Sequence, residues 1–190
     1  EGVERLIFAA GPAALPYIQE DWRLIGSFTE KLGAPREAVE KRLDEMLAEV
    51  KELRKTIRRL TSLAAKARAM ELRSSPIQVQ GIKLYVVHES EHDREYVLTI
   101  ADELLKVDEP SCLIASYGEK KRPSLLILAN KRARESGVHA GKLASAIASN
   151  FAGKGGGNER LGQGGFRREI AYDDLRDVTM AEFKKLLGSR

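Results

Sequence analysis

The 190-residue sequence predicts an α+β protein: a long antiparallel helical hairpin, coiled-coil-like, followed by a small α/β domain with a mixed sheet and a glycine-rich loop. Three observations carry this. Apolar residues keep a heptad spacing from residue 39 to residue 67. The period changes from helical to alternating after Pro76. Seven glycines then fall within the thirteen residues 153–165.

Residues 3–9 alternate loosely and read as a strand with no hairpin partner nearby, a remnant of a preceding domain. A start at Glu1 without methionine agrees with a fragment of a longer chain. Gly11-Pro12 opens a helix, since proline is tolerated in a first turn. Leu15, Ile18, Trp22 and Ile25 keep helical spacing, and Gly33 closes the helix as a C-cap. A second helix starts at Pro35. Its residues Val39, Leu43, Met46, Val50, Leu53, Ile57, Leu60, Ala64 and Ala67 alternate steps of four and three. At 1.5 Å per residue it runs roughly 45–55 Å. The first helix is long enough to cover about half of that seam. Met46, Val50, Leu53, Ile57, Leu60 and Leu63 then need a further surface, and a second copy of the chain is the simplest one.

Arg73-Ser74-Ser75-Pro76 breaks the helix, because the residue before proline avoids the helical region. Residues 77–80, 83–88, 111–117 and 124–129 read as strands, with a charged turn over 119–123 joining the last two. Residues 94–106 and 140–151 read as amphipathic helices. Thr179, followed three residues later by Glu182, reads as the cap of a terminal helix over 179–187. The predicted organisation is a junction over 1–10, a helical hairpin over 11–75 and a globular subdomain over 76–190.

Apolar residues make up 43% of the chain and charged residues 32%, which excludes a disordered or fibrous protein. No apolar run approaches the roughly 20 residues that span a bilayer, and no signal peptide is evident. The single cysteine, Cys112, lies in an apolar run and reads as a core residue in a reducing, cytoplasmic setting. The net charge of +4 hides a strong pattern. Residues 89–109 hold eight acids against two bases. Residues 120–168 hold eleven bases against two acids, and residues 54–73 hold seven bases against one. Basic blocks of this kind attract polyanions, chiefly nucleic acid phosphates.

The glycine segment sharpens that reading. Gly155, Gly156, Gly157, Gly164 and Gly165 would let backbone amides approach a ligand with no side chain in the way. Lys154, Arg160, Arg167 and Arg168 surround them with positive charge, and Asn158 and Gln163 offer hydrogen bonds. Lys120, Lys121, Arg122, Lys131 and Arg132 would extend the same surface. Two phosphate motifs fail. Residues 137–143 resemble a P-loop but are one residue short, with Leu143 where a Mg-binding hydroxyl is needed. No GxGxxG register fits either. His88, His92 and His139 are too dispersed for a zinc site, and no catalytic constellation is present. Composition and spacing therefore favour a non-catalytic binding module.

The segment GKGGGNERLGQGG (153–165) resembles the signature of the DHH-associated domain found at the C-terminus of alanyl-tRNA synthetases, the archaeal type most closely. The opening EGVERLIFAAGPAALPYIQ is similar to the junction between that family's editing domain and its helical segment. The bacterial form of the loop has arginine, proline and aspartate after the glycines, where this chain has Asn158, Glu159 and Arg160. The resemblance implies an alanine-specific tRNA-binding and dimerising domain that touches the outer corner of tRNA. It also implies a parent enzyme that uses ATP, Mg and Zn in parts lying outside this chain. Two rival readings are the substrate-clamping domain of a DHH phosphoesterase or single-strand nuclease, and a purely structural dimer scaffold.

Overall fold

The computed structural model describes residues 2, 4 and 8–188; the strand expected over residues 3–9 lies largely outside them. The chain forms two compact units, Glu1–Arg58 and Arg59–Arg190.

In the first unit, a 3-10 turn with Pro12 leads into helix α1 (Leu15–Leu32). Gly33 takes the left-handed conformation at φ 58°, and the Gly33 and Ala34 amides donate to the Glu30 and Thr29 carbonyls. This is the expected glycine cap. A second 3-10 turn, Arg36–Ala38, precedes helix α2 (Val39–Arg73), whose 35 residues span about 52 Å. The Arg36 guanidinium lies 4.2 Å over the Trp22 ring and fastens the turn to α1. The expected covering of the seam does not occur. No residue of α1 is buried, and Leu43, Met46, Val50 and Leu53 remain 40–52% exposed.

The second unit is built on six strands: β1 (Ile77–Val79), β2 (Ile82–Ser90), β3 (Ser111–Gly118), β4 (Ser124–Ala129), β5 (Lys154–Gly157) and β6 (Leu161–Gly165). Their order is β1-β2-β3-β4-β6-β5. Only β2 and β3 pair in parallel, and the connection between them is helix α3 (Arg94–Leu105). The mixed sheet agrees with the sequence reading. Alternation sends side chains to two cores. Leu84, Val86, Cys112, Ile114, Leu125 and Ile127 face the side covered by helices α5 (Ala140–Asn150) and α6 (Tyr172–Gly188). Tyr85, Val87, Leu113, Ala115 and Leu126 face the side covered by α3 and by Ala65 and Ala69 of α2. Burial pushes the Cys112 thiol up to about 12, so it is an inert core group.

Three local readings are corrected. A short helix α4 (Lys131–Glu135) follows β4, capped by the Asn130 side chain. Helix α6 starts at Tyr172, so Thr179 is a buried mid-helix residue and not a cap. Leu175 and Phe183, both fully buried, anchor that longer helix on the sheet. The glycine-rich segment is a β-hairpin of two paired strands, not an irregular loop. No helix among the described residues is long and apolar enough to cross a membrane.

Candidate nucleic-acid interface

Glycine is a poor strand former in isolation, so the β5–β6 hairpin needs a local reason. Helix α5 supplies it. A Cβ added at Gly155 would collide with the Ala144 carbonyl, and one at Gly162 with the Ala140 carbonyl. At Gly164 it would lie 3.5 Å from the Ala148 side chain and 2.8 Å from the Lys154 carbonyl. Only strands without side chains on this face can lie against the alanine face of α5. The opposite face carries Lys154, Gly156, Gln163 and Gly165, which pair as Lys154–Gly165 and Gly156–Gln163. A Cβ at Gly156 or Gly165 would meet nothing within 4 Å. The hairpin is therefore tightly packed on one side and open on the other, where Lys154 and Gln163 are exposed between the glycines.

The turn between the strands is stiff. Asn158 Oδ1 accepts from the Arg160 and Leu161 amides, each at 2.9 Å. The Asn158 and Glu159 carbonyls accept from the Gly141 and Ala140 amides at 2.8 and 3.1 Å. His139 Nδ1 accepts from the Lys142 amide at 3.2 Å. These bonds occupy the first amides of α5, the groups that hold phosphate in a P-loop. They also spend the Asn158 carbonyl oxygen, leaving its NH2 for a ligand.

The structure sorts the expected basic residues into two groups. Ser124 pairs with Gly165, Gly165 pairs with Lys154, and the Phe166 amide donates to the Pro123 carbonyl at 2.9 Å. One end of the sheet thus collects Lys120, Lys121, Arg122, Lys154, Arg167 and Arg168. All six are exposed, and none forms an ion pair among the described residues. The Arg168 guanidinium lies 5.3 Å over the Phe151 ring. Arg160, Lys131 and Arg132 sit at the other end of β4, about 17 Å away along the strand. There the charge is partly spent. Arg132 binds Asp108 through two bonds of 3.0 and 3.2 Å, which lowers the Asp108 carboxyl and raises the guanidinium. Lys131 lies 3.9 Å from Glu135.

Folding also rearranges the charge blocks. The acidic stretch 89–109 is stitched to basic partners distant in sequence. Glu89, 8% exposed, accepts from Arg68 Nε at 3.0 Å, and this bond is the largest cause of the raised Arg68 pKa. Arg73 donates to the Glu103 carbonyl, and Lys83 pairs with Glu109. The end of the 54–73 block is thereby used within the fold. Sequence reasoning missed Arg134, which lines the same surface as Arg160. Among the described residues no group of three or more His, Cys, Asp or Glu side chains could hold a metal ion.

No family model matches the chain. Curated sequences do. Over 165 residues it is 32% identical to the alanine–tRNA ligase of Methanosarcina mazei, covering 87% of this chain and 18% of that one. The chain is homologous to the C-terminal domain of alanyl-tRNA synthetases. The alanine–tRNA ligase of Herpetosiphon aurantiacus is 30% identical over 172 residues, 90% of this chain and 19% of the ligase. The chain spans about a fifth of the length of the curated relatives it matches. The fold agrees: the C-Ala domain of Aquifex aeolicus alanyl-tRNA synthetase superposes with a TM-score of 0.51, 19% identity, 60% of this chain and 99% of that domain. That likeness is one of fold; the sequence identity to alanine–tRNA ligases carries the family.

Proposed function

We propose that this synthetase C-terminal domain binds tRNA(Ala) and dimerises, helping a longer cytoplasmic alanine–tRNA ligase position its tRNA for aminoacylation and for editing. In this reading ATP, Mg and Zn serve other parts of that enzyme, and the chain itself turns over no substrate. One observation supports the nucleic-acid reading: six exposed cations with no ion pair among the described residues gather at one end of the sheet, with Lys154 on the open face of the hairpin. Unpaired cations release condensed counterions from a phosphate backbone, and the open strips at Gly156 and Gly165 beside Lys154 and Gln163 leave room for a sugar-phosphate edge. The exposed seam of α2, with Met46, Val50, Leu53, Ile57, Leu60 and Leu63 at 40–61% exposure, supports dimerisation. The test is competition binding. Folded tRNA should outcompete unfolded tRNA and single-stranded oligonucleotides for the isolated chain. A preference for single strands would support the nuclease-type clamp instead, and absence of binding to either would support the scaffold.

A further inference from the structure

A groove of about 270 Å3 opens between α3 and the Arg160 end of β4. Leu105 and Leu128 form its apolar wall. Lys106, Lys131, Arg134 and Arg160 line it with positive charge, against the single acid Asp102. Lys106 and Lys131 already face Glu103 and Glu135 at 3.5 and 3.9 Å. Arg134 and Arg160 have no ion pair among the described residues, and Arg134 Nε is buried without a hydrogen-bond partner. A buried guanidinium N–H that has lost water and gained no acceptor is unfavourable until the side chain turns it towards one, and the groove is where a turned Arg134 would meet it.

The missing acceptor has a definite chemistry. Planar guanidinium forks match carboxylate and phosphate oxygens, two bonds at a time, and four lining cations against one acid favour the more highly charged phosphate. A bare phosphate would leave Leu105 and Leu128 uncovered, whereas a flat ring attached to it would shield them. Asp102 works against a polyphosphate. At about 270 Å3 the groove excludes a length of chain and takes at most one ligand of nucleotide size, part of it in solvent. We propose that this groove is a mononucleotide site, with the phosphate on Arg134 and Arg160 and the base against Leu105 and Leu128. The nucleotide is either free in solution or one unstacked residue of an RNA. The groove lies at the other end of β4 from the six-cation surface and stands independently of the tRNA reading.

The experiment is a titration of the 15N-labelled chain with AMP, adenosine and inorganic phosphate at fixed ionic strength, read by amide chemical shifts. AMP should shift the amides of residues 101–106 and 128–134 saturably, and adenosine and phosphate should each bind at least tenfold more weakly. Arg134→Lys keeps the charge but loses the fork, and Arg160→Ala removes the second donor. Each should weaken AMP about tenfold with a spectrum that stays dispersed. Folded tRNA added to the AMP complex separates the sources. Displacement of AMP assigns the groove to a nucleotide within RNA, and tRNA binding without displacement assigns it to the free mononucleotide. The proposal is overturned if AMP leaves these amides unmoved, if phosphate alone binds as well as AMP, or if both variants bind AMP like wild type. If AMP binds while tRNA does not, the groove stands and the proposed tRNA role falls.

Discussion

The seam of α2 and the β5–β6 hairpin treat burial in opposite ways. On α2, large apolar side chains such as Leu53, Ile57 and Leu60 stay more than half exposed. On the hairpin, residues with no side chain at all are the ones pressed against a neighbour, with Gly155 and Gly162 touching the backbone of α5. Burial is set by how closely a partner backbone can approach, and hydrophobicity only makes the approach worthwhile. The small-residue face of α5 permits backbone contact. The α2 seam offers bulk that awaits a surface of matching shape.

The largest expected effect comes from breaking the hairpin side. Gly162→Val puts a branched side chain into the Ala140 carbonyl, where backbone and not a flexible side chain must move. Overpacking against backbone should destabilise by at least about 3 kcal/mol in urea unfolding. Gly156→Ala, on the open face, should change stability by less than about 0.5 kcal/mol. Cys112 gives a second readout. Its buried thiol, pushed up to about 12, should resist iodoacetamide at neutral pH in the wild type and react readily in Gly162→Val. Equal stability of the two glycine variants would mean that α5 does not clamp the hairpin.

Breaking the α2 side should leave the fold intact and change only association. Leu53→Asp and Ile57→Asp lie at half-exposed positions, so each should shift single-chain stability by less than about 0.5 kcal/mol. Across an apolar dimer contact the same charges should cost several kcal/mol, enough to abolish self-association. Sedimentation velocity at micromolar concentration decides. A monomeric wild type would end the dimer proposal and leave the seam for another partner.

A smaller effect tests the junction of α2 with the sheet. Arg68→Ala strands the Glu89 carboxylate, which is nearly buried, but Arg68 itself is 40% exposed and its contribution is screened. The expected loss is about 1 kcal/mol by denaturant unfolding, against a few tenths for Glu71→Ala, whose carboxylate is 69% exposed. Equal losses would show that the buried end of the pair matters no more than the exposed one.

Much of this was legible in the sequence, for identifiable reasons. Strands β2, β3 and β4 are strongly apolar runs bounded by turns, and Gly33 marks its own cap, so these follow from local chemistry. What was not legible depends on contacts between distant residues. The hairpin glycines have no side-chain pattern, and they form strands because β4 offers an edge and α5 lies within backbone contact. Thr179 and Glu182 match a capping box by spacing, yet the helix had already begun at Tyr172, about two turns earlier. Helix α4 is five residues after an Asn cap, four of them charged, too short for any period to show. The acidic and basic blocks are read as separate surfaces until Arg68 meets Glu89 across twenty-one residues. The expected site suffered in the same way: one basic surface in sequence became two groups at opposite ends of β4.

That division yields the finest test. Each phosphate contact made by an unpaired cation releases about one counterion, so Arg167→Ala should shallow the log–log salt slope of tRNA binding by about one unit. Arg132 carries the same formal charge but is held by two bonds to Asp108 and a further contact of 3.6 Å with Glu135. It has little counterion-releasing capacity left, so Arg132→Ala should change the slope by well under half a unit. Gly156→Val should weaken binding at every salt concentration without changing the slope, because it fills the open face and removes no charge. Titrations of folded tRNA at four or five salt concentrations separate these cases. If Arg132→Ala flattens the slope as much as Arg167→Ala does, the RNA reaches both ends of β4 and the Asp108 pair opens on binding. If neither variant alters it while Gly156→Val still weakens binding, contact is made through the open face of the hairpin alone and the six-cation surface has been wrongly assigned.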